Sequence, residues 1–332
     1  MKAADYLLGA LKSEGVDHIF CVPGGLIDPL LPAMSETGGV TPIVAAHEAG
    51  AAYMADGYAR ASGRFGSCFA IGGPGVSNMA TAVSAARSDG SPVLVISGQI
   101  ALELEGRGGF QDDSPGTAID DTAALAPLVV SSQEVLEPHL LGHHLRLALS
   151  TMLAVPRGPA HLAIATDIQH ADVHAPPPPL LEGRYRPRLI DENAFAGLEQ
   201  MLSGNDGPKR IAILAGAGVE HSEATGSLIT LAERYDIPVA TTLRAKGVFP
   251  EAHPLSLGVF GYAGTRHATE VLLDPSLEAL VVVGSGLNQR DTMFWDKKMS
   301  DDRLLIHADV DPTVIGHTWP AESGIPGSKI QS

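Results

Sequence analysis

The sequence predicts an α/β protein built from two consecutive open, mostly parallel sheet domains. Short β-branched runs alternate with alanine-rich amphipathic stretches along the 332 residues. Strands separated by helices of roughly 10–15 residues are typical of parallel sheets covered on both faces. A run of four prolines at 176–179 interrupts the alternation, which then restarts. We therefore predict a first domain over residues 1–172, a proline-rich linker over 173–189 and a second domain over 190–332.

Apolar runs mark the strands of the first domain. They lie at 18–22, 41–46, 67–71, 92–97 and 160–165. Helices are predicted between them from apolar and alanine-rich segments at 26–34, 49–61 and 77–87.

The second domain begins after the proline run, which must be extended and acts as a semi-rigid spacer. Helices are predicted there at 192–202 and 222–235. Strands are predicted at 210–214, 238–242, 279–283 and 304–308. These elements form a second α/β layer structure.

Composition and charge exclude several classes of partner. The chain has 22 Lys+Arg against 38 Asp+Glu, a formal net charge of −16. Phosphate backbones and anionic lipid head groups would repel it, so we expect neither a nucleic-acid nor a membrane partner. Its two cysteines, Cys21 and Cys68, lie in apolar runs and suit a reducing compartment. With no signal-peptide pattern and no apolar run of about 18 residues, we expect a cytoplasmic protein.

Two glycine-rich turns follow predicted strands. Pro23-Gly24-Gly25 follows the first strand, and Gly72-Gly73-Pro74-Gly75 follows the third. Glycines let a backbone approach a ligand closely, and the carboxyl edge of an open parallel sheet is where ligands bind. Either turn alone is equally consistent with an ordinary strand-to-helix connection.

His47-Glu48 ends the second apolar run and begins a helix. A carboxylic acid held among alanines and glycines at a sheet edge can exchange a proton with a basic nitrogen. The alternative is a favourable placement of Glu48 against the helix dipole. The second histidine of a HExxH motif is missing, which excludes a zinc protease of that type. Three such features in order along one sheet edge are more specific than any one.

Two weaker patterns favour structural interpretations. Gly216-Ala217-Gly218 resembles the opening of a dinucleotide fingerprint, but position 221 is a histidine, so a nicotinamide-dependent oxidoreductase is disfavoured. His139, His143 and His144 share one helical stretch without a carboxylate at a ligand spacing, and solvated or capping histidines are favoured over a metal site.

Residues 103–121 form a long acidic loop with six carboxylates and one arginine, Arg107. Loops of this length often carry function. Gln111, beside Phe110, could offer a neutral amide to a bound substrate. The alternative is a solvated acidic loop.

Together these segments resemble the acetolactate synthase/pyruvate oxidase/benzoylformate decarboxylase family of thiamine diphosphate enzymes. In the first domain the resemblance is carried by VPGG (22–25), AHEAGAAYMADGYARASGRFG (46–66), IGGPGVSN (71–78), PVLVISGQ (92–99), GGFQDD (108–113) and RGPAHLAIATD (157–167). In the second it is carried by ILAGAGV (213–219), IPVATTLRAKGVFPEAHPLSLGVFGYAG (237–264) and HADVDPTVIG (307–316).

The resemblance implies a pyrimidine-binding domain over 1–172 and a Rossmann-like central domain over 190–332. Glu48 falls on the family's glutamate, which hydrogen-bonds N1′ of the cofactor aminopyrimidine and is the catalytic proton donor. The implied cofactor-binding residues are Pro23, Gly24, Gly25, Glu48, Gly73, Pro74 and Asn78. The implied substrate-facing residues are Gly25, Phe110, Gln111 and Lys246, and Phe249 matches the same central-domain loop as Lys246.

The sequence also departs from the family pattern. The family's diphosphate-binding domain carries a GDG motif and a downstream Asn-Asn, whereas the Asp-Gly pairs here, at 56–57, 89–90 and 206–207, follow Ala, Ser and Asn. The four asparagines are never adjacent. No metal ligands are therefore assigned to this chain.

We expect a split 2-keto acid decarboxylase or carboligase that is inactive alone. A diphosphate-binding partner chain would share thiamine diphosphate, hold Mg²⁺ and complete a heteromer, expected to be a heterotetramer. The alternatives are a truncated single-chain enzyme and a non-catalytic or regulatory subunit of this fold.

FAD, which the synthases and oxidases bind in the central domain, is not expected. Gly286 stands where the synthases carry an arginine, and Ala263 replaces a histidine of their glycine loop.

Overall fold

The computed structural model describes residues 1–113, 120–174, 191–203 and 209–327. The chain divides into two compact units, Met1–Arg186 and Pro187–Ser332. Each unit contains one six-stranded sheet flanked by helices, and every strand pair in both sheets is parallel. The predicted α/β class is confirmed, and the sheets are wholly rather than mostly parallel. The proline run at 176–179 lies outside the described residues.

The first unit alternates strands and helices. Its strands are β1 (His18–Cys21), β2 (Thr41–Val44), β3 (Gly66–Ile71), β4 (Val93–Gln99), β5 (Ser131–Val135) and β6 (Ala160–Ala165). Its helices are α1 (Ala3–Ser13), α2 (Leu30–Thr37), α3 (Glu48–Ser62), α4 (Pro74–Asp89), α5 (Asp121–Leu125), α6 (Leu141–Leu153) and α7 (Thr166–His170). The predicted helix at 26–34 is instead a short 3₁₀ turn, Gly25–Ile27, followed by α2.

The strand order of this sheet is β2-β1-β3-β4-β6-β5. β2 pairs with one side of β1, and the chain then crosses back so that β3 pairs with the other side of β1. The carboxyl ends of β1 and β3 therefore flank the topological switch point, where open α/β sheets bind their ligands. Sequence patterning missed β5, because this edge strand, SSQEV, has no apolar run.

Apolar cores cover both faces of the first sheet. One face packs against α1 and α6, and the other against the alanine-rich helices α3 and α4. Small residues let α3 approach the sheet so closely that a Cβ on Gly66 would lie 2.0 Å from the carbonyl oxygen of Ala55. This packing fixes the position of α3, whose first residue is Glu48.

The second unit has the strand order β12-β11-β10-β7-β8-β9. Its strands are β7 (Ile211–Ala215), β8 (Val239–Thr241), β9 (Ser256–Val259), β10 (Ala279–Val283), β11 (Leu304–Asp309) and β12 (Ser323–Pro326). Its helices are α8 (Glu192–Ser203), α9 (Gly218–His221), α10 (Thr225–Tyr235) and α11 (Arg266–Leu272). The predicted helix at 222–235 begins later, because Glu223 has a φ of 55° and separates α9 from α10.

None of the helices in the described part of the chain is long and apolar enough to cross a lipid bilayer.

Candidate active site

Three predicted features meet at one edge of the first sheet. The turn Pro23-Gly24-Gly25 follows β1, Glu48 follows β2 and the turn Gly72-Gly73 follows β3. These three strands are neighbours in the order β2-β1-β3. The sheet therefore places the two glycine turns and the carboxylate at its carboxyl edge, on either side of the switch point.

Close backbone contacts fix the turn after β1. A Cβ on Gly24 would lie 2.6 Å from Cγ2 of Ile71, at the end of β3. A Cβ on Gly98 would lie 1.9 Å from the carbonyl oxygen of Leu26, so this segment also crosses the end of β4. A Cβ on Gly25, by contrast, would meet no atom within 4 Å. The turn is held in place, and Gly25 leaves open space beside it.

Glu48 is fixed near the N-terminal ends of two helices. It is the first residue of α3, where Nδ1 of the N-cap His47 accepts the backbone N–H of Ala49 over 3.1 Å. On α4, Nδ2 of Asn78 donates to Oε2 of Glu48 over 2.9 Å. A Cβ on Gly75 would lie 3.7 Å from Cγ of Glu48 and 3.1 Å from Cβ of Ala70. The glycine therefore lets the start of α4 pack beside the carboxylate.

The turn after β3 requires glycine at two successive positions. Gly73 has a φ of 62°, in the left-handed region, and caps α4, which begins at Pro74. Its backbone N–H donates to Oδ1 of Asp121 over 3.0 Å. A Cβ on Gly72 would lie 1.7 Å from Oδ2 of Asp113 and 2.9 Å from Oδ2 of Asp121. Two carboxyl groups therefore converge on this turn.

Asp113 and Asp121 form a buried pair. Asp121 is 0% exposed and Asp113 is 1% exposed. Burial raises the pKa of both carboxyls, and burial followed by the hydrogen bond with Asp113 raises the pKa of Asp121 to about 9. If both were ionised, neither oxygen of Asp113 would find a donor. One proton shared between the two carboxyls supplies that donor, and it belongs to the pair rather than to either residue.

A second carboxyl pair joins the same loop to β5. Glu105 is hydrogen-bonded to Glu134 at the end of β5. Burial, followed by the charge of Glu105, raises the pKa of Glu134 to about 7, and burial also raises the pKa of Glu105. Phe110 and Gln111 lie between the two pairs along the chain. Phe110 is 87% exposed, and Gln111 is half-buried with a φ of 62°.

Comparison with known proteins bears directly on this arrangement. Residues 1–120 match the family described as thiamine pyrophosphate enzyme, N-terminal TPP binding domain, and residues 206–329 match the family's central domain. The chain has the N-terminal and central domains of the thiamine pyrophosphate enzymes. The predicted resemblance to this family is confirmed.

Curated relatives of this chain are acetolactate synthase large subunits. A probable large subunit from Methanocaldococcus jannaschii is 33% identical over 98% of this chain and 54% of its own length. The large subunit from Corynebacterium glutamicum is 31% identical over 98% and 51%. The isozyme 1 large subunit from Escherichia coli is 30% identical over 94% and 53%. The chain thus spans about half the length of the curated relatives it matches.

Two of the predicted residues, Lys246 and Phe249, belong to the central domain. Lys246 forms an ion pair with Glu251. Phe249 is 1% exposed, and its ring packs edge-on against His253 with a centroid distance of 4.9 Å. Phe249 is therefore a core residue of the central domain in this chain.

The GxG pattern of the central domain has a packing role. A Cβ on Gly216 would lie 2.2 Å from the carbonyl oxygen of Gly284, and a Cβ on Gly218 would lie 2.7 Å from Cα of Gly284. Glycines here let the turns after β7 and β10 touch. A cleft beside these turns is lined mostly by apolar and glycine residues, with Asp309 at the end of β11, where burial raises the pKa of the carboxyl.

No lysine or arginine is among the described residues that line this cleft. The lining residues are Phe195, Gly218, Val219, Ser222, Ala224, Val283, Gly284, Ala308, Asp309, Val310, Ile325, Pro326 and Gly327. Gly286, at the position of the synthase arginine, brings no side chain that could bind a phosphate.

The histidines of the α6 region make local contacts. Nδ1 of His144 lies 2.7 Å from Oε1 of Gln133, and the ring of His143 packs edge-on against that of His144. In the described ranges, no group of three or more histidine, cysteine or acidic side chains is arranged to hold a metal ion.

Sequence reasoning did not find the buried carboxyl pairs. The alternative interpretation of residues 103–121 was a solvated acidic loop. It is wrong for Asp113 and Asp121, because both side chains are buried. The available signal was the placement of Asp121 directly after Asp120, whose side chain caps α5 by accepting the N–H of Ala123 over 2.8 Å. A residue that follows an N-cap lies in the first helical turn and can face the sheet.

Proposed function

We propose that this chain supplies the pyrimidine-binding half of the active site of a thiamine diphosphate-dependent 2-keto acid decarboxylase or carboligase. The observation that carries the proposal is the Asn78–Glu48 hydrogen bond at the switch point of the first sheet. A carboxylate held in one orientation beside glycine turns is suited to exchange a proton with a ring nitrogen of a bound cofactor.

In this proposal Glu48 is the proton donor. Asn78 occupies Oε2, which leaves Oε1 to bond the aminopyrimidine nitrogen and pass a proton to it. Pro23, Gly24, Gly73 and Pro74 would shape the pocket, because the two turns are held by close contacts of Gly24 with Ile71 and by the hydrogen bond from Gly73 to Asp121. Bound there, thiamine diphosphate supplies the carbon nucleophile that adds to a keto carbonyl and accepts the electrons released on decarboxylation.

The substrate side of the site would be formed by a small set of residues. Gly25 leaves open space, and the loop between the carboxyl pairs brings the exposed Phe110 and the amide of Gln111. A neutral amide can orient the oxygen atoms of a small 2-keto acid, and Phe110 can cover its apolar part.

The diphosphate and its Mg²⁺ would be bound by a second chain in a heteromer. Support comes from the sequence, in which none of the Asp-Gly pairs belongs to a GDG motif, and from the net charge of −16, which disfavours binding a diphosphate. Mg²⁺ takes oxygen ligands and usually bridges substrate phosphates, so the ion and the diphosphate would be held together.

Reconstitution tests this proposal. The purified chain is mixed with a diphosphate-binding chain of about 200 residues, a typical domain size, together with Mg²⁺ and thiamine diphosphate. Decarboxylation of 2-keto acids is followed by CO₂ release. We expect activity only in the complete mixture. Glu48→Gln should lower the rate by about 10²–10⁴-fold, because general acid–base catalysis is lost.

The matched control is Glu36→Gln, which removes one carboxylate from the exposed face of α2 in the same domain. It should keep the wild-type rate. Near-normal turnover by the Glu48→Gln variant would contradict the assignment. A complex that assembles with the partner and cofactor but releases no CO₂ from any 2-keto acid would instead indicate a non-catalytic subunit.

A further inference from the structure

The loop that carries Phe110 and Gln111 is attached to the N-terminal domain by carboxyl groups. Glu105 contacts Glu134 before these residues in the chain, and Asp113 contacts Asp121 after them. Pairs of like-charged groups repel when both are ionised. The attachment of this loop therefore depends on protons.

The geometry at Asp113 requires a shared proton. Its two oxygens are buried and without a donor in the ionised state, and its Oδ2 lies against the bare Cα of Gly72. Asp121 accepts the N–H of Gly73 with both of its oxygens, at 3.0 and 3.2 Å. The two carboxyls therefore share one proton beside the N–H of Gly73, and that proton belongs to the pair.

The second pair has the same character. Oε1 of Glu105 and Oε1 of Glu134 are both buried and without a donor in the ionised state. The side chains of Glu105 and Glu134 are hydrogen-bonded to each other, which again requires one proton. Glu105 lies after a short 3₁₀ turn, Leu102–Leu104, and Glu134 lies on β5, so this pair joins the loop to the edge strand.

The surrounding charged groups all favour retention of these protons. Asp112 on the loop, Asp120 before α5 and Asp167 on α7 are carboxylates that raise the pKa of one pair or the other. The amide of Gly73, at the start of α4, acts in the opposite direction. His161 on β6, which lies beside β5, stays neutral because burial lowers its pKa to about 3.

We propose that two shared protons, one in each carboxyl pair, hold residues 105–113 against the N-terminal domain and so position Phe110 and Gln111. Asp113, Asp121, Glu105 and Glu134 are positioning residues in this proposal. As the pH rises each pair loses its proton, repulsion between the carboxylates follows, and the loop is released. A released loop would also misplace Gln111 relative to a bound substrate, and this consequence alone rests on the proposed function.

A fluorescent label on the loop tests the proposal with the full chain alone. Phe110→Cys introduces an exposed thiol, whereas Cys21 and Cys68 are both 0% exposed. The anisotropy of the label is measured from about pH 5 to about pH 10, a range that lies above the ordinary carboxyl pKa values and spans the raised ones. We expect it to fall in two steps, near the pKa of Glu134, about 7, and that of Asp121, about 9.

Three variants in the labelled chain separate the steps. Asp113→Asn supplies a permanent N–H donor to Asp121 and should remove the upper step alone, and Glu134→Gln should remove the lower step alone. Glu103→Gln, an exposed carboxylate on the same loop, should titrate as the parent does. A flat profile in the parent chain would overturn the proposal. Retention of both steps in the Asp113→Asn and Glu134→Gln variants would overturn it as well.

Infrared spectroscopy provides a second readout that needs no variant. The C=O band of a protonated carboxyl should persist in the wild-type chain above neutral pH. It should disappear over the pH range in which the anisotropy of the labelled variant falls. Absence of that band at neutral pH would also overturn the proposal. Neither measurement uses cofactor, partner or substrate, so failure of the proposed enzyme activity would leave both results interpretable.

Discussion

The side-chain amide of Asn78 donates to Oε2 of Glu48 over 2.9 Å and joins the N-terminal part of α4 to the first residue of α3. Both helices begin at the carboxyl edge of the same sheet, and Gly75 lets them meet there without a side chain in between. The carboxylate is therefore held in one orientation before any ligand is bound.

We predict that Asn78→Ala lowers kcat of the reconstituted enzyme by about 10- to 100-fold, equal to roughly 1.4–2.7 kcal/mol of transition-state stabilisation. The variant removes a hydrogen bond to a charged group and leaves Glu48 free to rotate. Steady-state kinetics check this, with a change in kcat larger than the change in KM for the keto acid. Asn78→Asp should also move the pH profile to higher pH, because a second carboxylate disfavours ionisation.

The matched control for this variant is Thr81→Ala, one turn further along the exposed side of α4. It should leave kcat and the pH profile unchanged. An equal loss in the Thr81 and Asn78 variants would show that the effect is one of helix stability and not of carboxylate orientation.

We predict that Gly72→Ala destabilises the N-terminal domain by about 1–3 kcal/mol. The added Cβ would lie 1.7 Å from Oδ2 of Asp113, so the carboxyl pair and the turn must separate. Denaturant unfolding followed by circular dichroism measures the change. Gly226→Ala on α10 is the control, because its Cβ meets no atom within 4 Å and alanine favours the helix. Equal stability of the two variants would contradict the close contact at Gly72.

The buried His161 makes stability depend on pH at the acid side. Ser132 donates its only hydroxyl proton to the carbonyl of Thr122, so it accepts from Nδ1 of His161, and Nε2 then accepts from Ser97. The ring is therefore neutral, in agreement with the pKa of about 3 that burial produces. Protonation of Nε2 would make the buried Ser97 hydroxyl accept instead of donate, and its own proton would lose this acceptor.

We predict that the free energy of unfolding falls as pH drops from about 6.5 towards about 3, because the unfolded chain binds a proton at His161 that the folded chain does not. The loss is on the order of a few kcal/mol. His161→Gln should show a shallower decline, whereas His139→Gln, at an exposed position, should follow the wild type. Parallel declines in all three proteins would contradict this role for His161.

We predict that Gly216→Ala destabilises the central domain by about 1–3 kcal/mol, because its Cβ would lie 2.2 Å from the carbonyl oxygen of Gly284. The wild-type chain should cause no change in NADH fluorescence on titration, since the glycine serves packing. Thermal unfolding measures the first effect and fluorescence the second. Saturable NADH binding by the wild type would restore the dinucleotide interpretation of the GxG pattern.

Much of the fold follows from local pattern. The central strands β6 and β10 lie at the predicted residues, 160–165 and 279–283, because buried parallel strands are continuous apolar runs. The edge strands β5, β9 and β12 were missed, because each contains polar or glycine residues and lacks a continuous apolar run. Strand bounds elsewhere shift by one or two residues, where turn geometry rather than hydrophobicity ends the strand.

The sequence by itself determined the α/β class, the family and the candidate acid Glu48, because each depends on residue types at short, fixed spacings. Only the tertiary structure decided what Asn78 holds, why Gly72 must lack a side chain and which acidic residues are buried. Asp113 and Asp121 are eight positions from one another, and they lie 40 and 48 positions after Gly73. Their chemistry arises from desolvation and from the repulsion between them, and the local sequence specifies neither.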